Sequence, residues 1–297
     1  MASAQTAIFE EKSTYFHYLE YKIRSSTSFS SLKEHLAKLL KQDSQVHTLI
    51  AFSPKAYHKM NPENSPQNFE SFKELEGTEE LIIPRTQYDL FFWLHSSSIS
   101  DNLDKALAID ELISPFSSDK AINTGFTYHD SRDLTGFVDG SANPKEEKRQ
   151  TAALIPAGQT GEAGSFILTQ KWQHQLKKFN RLPQSHQEKI IGRTKPDSIE
   201  LEGDDMPATS HVSRTDVKVD GVAQKIYRRS APYSNGDEHG LYFLAFSCEQ
   251  SRFDIQLRRM LGMTEDGQHD HLMHYSTALS SAYYFAPSQE DLKQALS

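Results

Sequence analysis

Residues 15 to 23, YFHYLEYKI, carry aromatic and β-branched side chains in partial alternation, a pattern typical of a β-strand. The stretches TLIAFS from residue 48 and YDLFFWLHSS from residue 88 share this pattern, so we predict strands there as well. Another strand is predicted for TGFTYHD, from residue 124. These four segments suggest that the first half of the chain is built around a sheet.

Two amphipathic helices are predicted between these strands. SSLKEHLAKLLKQ, residues 30–42, places its leucines on one face, and Ser31 stands three residues before Glu34, as in a capping box. DNLDKALAIDELI, residues 101–113, predicts a second helix capped by Asp101. The first half therefore has the order β, α, β, β, α, β.

The second half repeats this plan after Pro144, where the charged and then Gly- and Ala-rich stretch KEEKRQTAALIPAGQTGEAG predicts a domain junction. Its predicted strands begin at residues 165, 225, 241 and 282, and its predicted helices cover residues 171–182, 185–193 and 253–262. We therefore expect an α+β protein made of two ferredoxin-like domains with antiparallel sheets, residues 1–145 and 146–297.

Composition limits the classes of partner. The 297 residues include 40 acidic and 32 basic side chains, and no basic run is long enough to follow a phosphate backbone. No apolar run approaches the ~18 residues of a membrane helix, and the first residues lack the pattern of a signal peptide. Cys248 is the only cysteine, which fits a reducing compartment. We expect a cytoplasmic protein with a small-molecule partner and no nucleic-acid or membrane partner.

Two segments contain candidate functional residues. DLTGFVDGSANP, residues 133–144, places Asp139 between two glycines, a pattern that is also typical of a simple turn. His211 follows an acidic, Pro-containing loop and begins a structural element, although a structural role is common for a single loop histidine. Neither residue decides a function alone.

Five segments of the sequence, taken in order, resemble those of a known protein family. They are GFVDG at residues 136–140, IGRTK from 191, TSHVSRTD from 209, YRRSAPY from 227 and GLYFLAF from 240. In order and spacing they resemble the dye-decolourising peroxidases, haem enzymes that consume hydrogen peroxide, and most closely the shorter bacterial subgroup. The resemblance implies two ferredoxin-like domains with haem b held mainly by the second, peroxide and dye or phenolic reductants as substrates, and a homo-oligomer.

The resemblance also implies a role for each matched residue. It assigns His211 as the axial ligand of the haem iron, with Asp139 as the distal acid and Arg228 as the distal arginine. It assigns Ser230 as a further distal polar residue and Arg193 as the partner of a haem propionate. Because neighbouring residues of a strand point to opposite faces, only one of Arg228 and Arg229 can face the haem, and the match favours Arg228.

The chemistry of such a site accounts for these residue types. A haem iron with one imidazole ligand keeps a coordination position open, where peroxide needs a proton acceptor and a cation nearby. Asp139 is the expected acceptor, and Arg228 the expected cation. Because an acceptor must be ionised and free Asp titrates near ~3.9, we expect dye turnover to be best under mildly acidic conditions.

Further residues are expected around this site. Glycines 136 and 140 would let the backbone approach the porphyrin closely. Leu241 and Phe243 are candidates for the distal wall, although both also suit a strand core. The second ring nitrogen of His211 needs an acceptor, for which Asp254 is our candidate, with Asp216 and Glu249 as alternatives.

Two other functions are compatible with the sequence. A haem-binding or haem-delivery protein would need His211 and Arg193 but no distal acid opposite an arginine. A haem-free metal site is the other, because His269, His271 and His274 of QHDHLMH are spaced to converge on zinc or copper.

Overall fold

The computed structural model describes residues 2–40 and 45–297. The strands of the described residues are β1 (Tyr15–Ile23), β2 (His47–Phe52), β3 (Leu75–Glu76), β4 (Ile82–Ile83), β5 (Leu90–Ser96), β6 (Ser117–Phe126), β7 (Ser165–His174), β8 (Lys218–Val219), β9 (Val222–Ala223), β10 (Tyr227–Arg228), β11 (Ala231–Asn235), β12 (Glu238–Ser247) and β13 (Ser276–Ala286). The α-helices are α1 (Phe29–Leu40), α2 (Pro54–Met60), α3 (Ile99–Ile113), α4 (Glu147–Ala153), α5 (Leu176–Phe179), α6 (Gln184–Ile191), α7 (His211–Thr215), α8 (Ser251–Met260) and α9 (Gln289–Ala295).

Nine of the described strands form one antiparallel sheet. Its order is β10-β12-β7-β13-β2-β5-β1-β6, and β11 also pairs with β12. The strands of the first half of the chain occupy one end and those of the second half the other. The two ends meet where Phe285 of β13 pairs with Phe52 of β2. Each half of the chain thus contributes its own antiparallel part, as the order of elements predicted, but the junction between them was not predicted.

The sheet curls so that its two halves face each other. Tyr18 of β1 stacks on Tyr242 of β12 with ring centroids 3.8 Å apart, although these strands are far apart in the sheet order. Glu20 of β1 accepts hydrogen bonds from Tyr242 and Tyr284, at 2.9 and 2.6 Å. One apolar core fills this inner space, and a second core packs the outer faces of the sheet against helices that include α1, α3 and α8. Burial of the apolar side chains on both faces of the sheet is the largest favourable contribution to folding.

Helix starts differ slightly from the predicted ones. Helix α1 begins at Phe29, so Ser31 lies inside the helix and is not its cap. Residues 41 and 42, predicted as its end, lie outside the described residues. Helix α3 begins at Ile99, and the side chain of Ser98 caps it by accepting from the backbone N–H of Asp101. Asp101 is therefore in the first turn, where its charge favours the helix dipole.

The helix predicted over residues 171–182 is mostly wrong. Strand β7 continues to His174 because Gln173 pairs with Gly240 on one side and His174 with Ser276 on the other. Only the single turn α5 follows, and tertiary pairing has outweighed the local helical pattern. The α+β class with antiparallel sheets is confirmed, while the boundary at residue 145 stays a prediction. In the described part of the chain no helix is long and apolar enough to cross a membrane.

Candidate active site

Two adjoining cavities, each of about 790 Å³ including their mouths, lie on the outer face of the second half of the sheet. The walls of the first come from β7, β12 and α8. Its apolar lining residues include Leu168, Trp172, Leu241, Phe243, Phe253, Leu257 and Met260. Both cavities are also lined by Asp139, His211 and Arg228, which are far apart along the chain. The predicted wall residues Leu241 and Phe243 therefore lie in the same cavity as the three polar residues.

His211 is the first residue of α7 and is held by a buried carboxylate. Ser210 caps the helix by accepting from the N–H of Ser213. The Nδ1 of His211 lies 2.6 Å from Oδ2 of Asp270, whose side chain is 0% exposed. The other oxygen of Asp270 accepts from the N–H of Leu272 at 2.8 Å. An imidazole that donates from Nδ1 keeps the lone pair of Nε2 for a metal ion.

Asp270 replaces the partner that the sequence predicted. Asp254 accepts a hydrogen bond from the hydroxyl of Tyr283 at 2.7 Å, and burial raises the pKa of this carboxyl. The two alternatives, Asp216 and Glu249, pair with lysine and arginine side chains instead. The candidate Asp254 and both alternatives are therefore wrong, because Asp270 contacts His211. Asp270 lies 59 residues from His211 in the chain, so no local pattern connects the two.

Asp139 is positioned by its own backbone. Its N–H donates to the carbonyl of Ser131 at 2.9 Å, and its Oδ1 accepts from the N–H of Gly140 at 2.7 Å. Burial raises the pKa of Asp139, and the positive charge of Arg228 opposes this effect. The backbone conformation gives a further reason for a glycine at position 140. Its φ of +76° favours glycine, whereas an added Cβ would meet only the Asn143 side chain, at 3.4 Å.

The two adjacent arginines point to opposite sides of the sheet. Asn143 holds the backbone of Arg228 by accepting from its N–H at 3.0 Å and donating to its carbonyl at 2.8 Å. The Nε of Arg228 is buried and has no hydrogen-bond partner among the described residues. Arg229 instead donates to the carbonyls of Ile8 and Glu10 on the inner side. The strand alternation thus directs Arg228, and not Arg229, towards His211.

Arg193 and Ser230 lie at the edges of the site. Arg193 lines the second cavity and already donates to the carbonyl of Ser198 at 2.8 Å and to the carboxylate of Glu200. Ser230 lines a third cavity together with Asp139 and Arg228, and its hydroxyl accepts from the N–H of Leu244 at 3.3 Å.

A second histidine–aspartate pair was missed by the sequence analysis. His174 lines the first cavity, and its Nε2 lies 3.0 Å from Oδ1 of Asp133. Burial raises the pKa of Asp133, but the charge and hydrogen bond of His174, with hydrogen bonds from Thr135, outweigh it and lower this pKa to about 2. The sequence predicted a helix at His174 and a turn at Asp133. The two residues were not recognised as a pair, because their contact depends on the extension of β7 to residue 174.

Comparison with known proteins adds the family. Residues 130–291 match the family model "Dyp-type peroxidase, C-terminal", which is more than half of the chain. The chain belongs to the Dyp-type peroxidase family. A dye-decolorizing peroxidase of Mycobacterium tuberculosis is 30% identical to this Dyp-type chain, with 81% of the chain and 72% of that protein covered. One of Rhodococcus erythropolis is 28% identical, with 82% and 72% covered.

Solved structures agree with this family. A putative Dyp-type peroxidase of Shewanella oneidensis is 32% identical with a TM-score of 0.91, covering 100% of this chain and 98% of that one. A dye-decolorizing protein of V. cholerae is 36% identical with a TM-score of 0.86, covering 98% and 99%. A Rhodococcus jostii DypB variant in complex with heme shares the fold at 24% identity and a TM-score of 0.87, covering 98% of each chain. The predicted family, the fold class and an oxidoreductase that acts on peroxide are thereby confirmed.

Proposed function

We propose that the chain is a haem-dependent peroxidase that reduces hydrogen peroxide and oxidises dyes or phenolic one-electron donors. His211 would bind the iron, and Asp139 and Arg228 would act on the bound peroxide. The observation that carries the proposal is the convergence of these three side chains on the same cavities. When bound, haem supplies an iron with an open coordination position at which peroxide can be reduced.

The residues present suit a porphyrin. A flat apolar ring fits a cavity whose walls are leucine, phenylalanine, tryptophan and methionine side chains. The Nε2 of His211 would bind the metal, because Nδ1 is already engaged by Asp270. Arg193 would pair with a propionate at the mouth of the second cavity, exchanging or sharing its contact with Glu200. Ser230, Gly140, Leu241 and Phe243 would line the remaining contact surface.

Asp139 and Arg228 have complementary roles in this proposal. Asp139 would take the proton from one oxygen of the peroxide on Oδ2, because Oδ1 already accepts from the N–H of Gly140. It would then release the proton to the departing oxygen. The guanidinium of Arg228 would stabilise the negative charge that develops on the peroxide. The Nε of Arg228, which no group of the described residues accepts from, is a donor available for this purpose.

The test compares the haem-loaded enzyme with two arginine variants. We expect Arg228→Leu to lower the second-order rate constant for reaction with peroxide by about 10²–10³-fold, the usual cost of losing one preorganised donor. The rate is measured by stopped-flow absorption at the Soret band. Arg258→Leu, which changes an exposed arginine of α8, is the matched control and should react like wild type. Equal rates in Arg228→Leu and wild type would favour a haem carrier instead.

The axial ligand has its own test. His211→Ala should lose the absorption spectrum of imidazole-bound ferric haem and retain less haem through gel filtration. An unchanged spectrum would contradict the assignment of His211. The expected homo-oligomer and the cytoplasmic location stay predictions, and light scattering would measure the first of them.

A further inference from the structure

A second group of titratable side chains lies outside the cavities described above. His269, His271 and His274 belong to the segment between α8 and β13, and their possible ligand nitrogens all lie within 4.8 Å of one another. The Nε2 atoms of His269 and His274 are 3.0 Å apart. His269 is buried, His274 is half-buried and His271 is exposed, so the group lies at the surface and remains accessible to an ion.

The spacing of these nitrogens suits a small tetrahedral ion. Zinc binds imidazole nitrogens at ~2.0–2.1 Å, which puts neighbouring ligand atoms roughly 3.3 Å apart in a tetrahedron. The observed 3.0 Å between His269 and His274 differs from this by only a few tenths of an ångström. Two imidazoles that face each other through Nε2 without an ion can share at most one proton between them. A metal ion would satisfy both lone pairs at once.

Two threonine hydroxyls support the required ring orientations. Oγ1 of Thr78 lies 3.4 Å from Nδ1 of His269, and Oγ1 of Thr209 lies 3.3 Å from Nδ1 of His271. Thr78 can also donate to the carbonyl of Leu261 at 3.3 Å, which leaves its oxygen free to accept from His269. Metal-binding histidines usually donate their second N–H in this way, and the lone pair then lies on Nε2.

Glu79 brings a carboxylate from the first half of the chain close to these histidines. Its Oε2 lies 3.8 Å from Nε2 of His269 and 3.9 Å from Nε2 of His274. A modest side-chain rotation would bring it within metal-binding distance, because its side chain is 62% exposed. Three neutral imidazoles and one carboxylate would leave a net charge of +1 on a bound divalent ion, and histidine-rich sets of this kind favour zinc, copper or nickel over magnesium.

We infer that His269, His271, His274 and Glu79 form a binding site for a divalent transition metal of the zinc class. This site goes beyond the proposed peroxidase function and is compatible with it, because none of the four residues lines the cavities around His211. In the sequence, these histidines indicated only a haem-free alternative. The structure places them beside the His211 site, on the same segment as Asp270, and a bound ion would link this segment to the turn at Glu79.

The site is tested on the haem-loaded enzyme after treatment with a chelator. Isothermal titration calorimetry with ZnCl₂ should give one ion per chain for wild type, and MgCl₂ should give no binding. His271→Gln and His274→Gln should weaken zinc binding by at least about tenfold, and Glu79→Gln should weaken it less, because three imidazoles remain. His58→Gln, an exposed histidine of α2, is the control and should bind like wild type.

Thermal unfolding provides the second measurement. Zinc should raise the unfolding midpoint of wild type and of His58→Gln, since a ligand that binds only the folded state stabilises it, but not that of His274→Gln. Absence of saturable zinc binding in wild type, or equal binding in wild type and both histidine variants, would overturn the inference. Neither measurement uses peroxide, so a negative result here leaves the peroxidase proposal untouched, and the reverse also holds.

Discussion

Replacing Asp270 by asparagine tests how His211 is held. Both carboxylate oxygens of Asp270 accept an N–H, one from His211 at 2.6 Å and one from Leu272 at 2.8 Å. An asparagine side chain has the same size but only one acceptor oxygen. In either orientation of the amide, one of the two N–H groups faces another donor, and the negative charge beside His211 is lost.

The size of the effect follows from these contacts. A buried donor left without its partner costs about 1–3 kcal/mol, and each 1.4 kcal/mol corresponds to a factor of ten. Loss of a group that orients a metal-binding histidine usually costs about 10–100-fold in metal affinity or activity, which agrees with this range. We therefore expect Asp270→Asn to release haem about 10–100 times faster than wild type.

The assay is transfer of haem from the loaded enzyme to excess apomyoglobin, followed at the Soret band. Asp254→Asn is the control, because it makes the same chemical change in a half-buried carboxylate that contacts Tyr283 and not His211. We expect Asp254→Asn to release haem at the wild-type rate. If Asp254→Asn accelerated the loss and Asp270→Asn did not, the assignment from geometry would be wrong and the one from sequence correct.

Two further predictions concern buried carboxylates. Because the pKa of Asp133 is lowered to about 2, its ionised form stabilises the fold by roughly 2–3 kcal/mol above the ordinary Asp pKa of ~3.9, and this stabilisation is lost as the pH falls towards 2. Urea unfolding between pH 2 and 5 should show a smaller pH dependence in Asp133→Asn than in wild type, and an equal dependence would refute the pairing with His174. Burial raises the pKa of Glu20. Between the ordinary Glu value of ~4.3 and the raised value, the unfolded chain loses this proton and the folded chain keeps it, so the free energy of unfolding falls as the pH rises. Glu20→Gln, which can still hydrogen-bond both tyrosines, should gain stability over wild type as the pH rises from 5 to 8, and a constant difference would contradict this reasoning.

Local sequence patterns predicted the presence of helices and strands better than the residues at which they end. The alternation in residues 15–23 gave β1 with its observed bounds, and the pattern from residue 253 corresponds to α8. The helix predicted across residues 171–182 was mostly wrong, because pairing with β12 and β13 extends β7 to His174. Strand ends depend on such long-range partners, which no single segment records. The same error concealed His174 as a residue of the site.

A site residue was predictable where the chemistry demands one residue type. It was not predictable where several residues of the right type exist and packing decides which one reaches the site. Strand alternation limited the choice at residues 228 and 229 to one arginine, and the structure directs Arg228 into the cavity. The partner of His211 had no such rule. Asp254, Asp216 and Glu249 all had the right chemistry, and only the folded chain shows that Asp270 is the residue within 2.6 Å.

The segment from residue 269 to residue 274 explains why sequence reasoning found its histidines and missed its aspartate. Its side chains point to two sides. Asp270 contacts His211, and Leu272 and Met273 line the first cavity, whereas the three histidines gather near Glu79 on the other side. The three histidines are recognisable in the sequence by their spacing, whereas nothing in the sequence connects Asp270 with His211. Because the two sets share one short backbone, whatever fixes the histidines also limits the positions open to Asp270, and through it the orientation of His211.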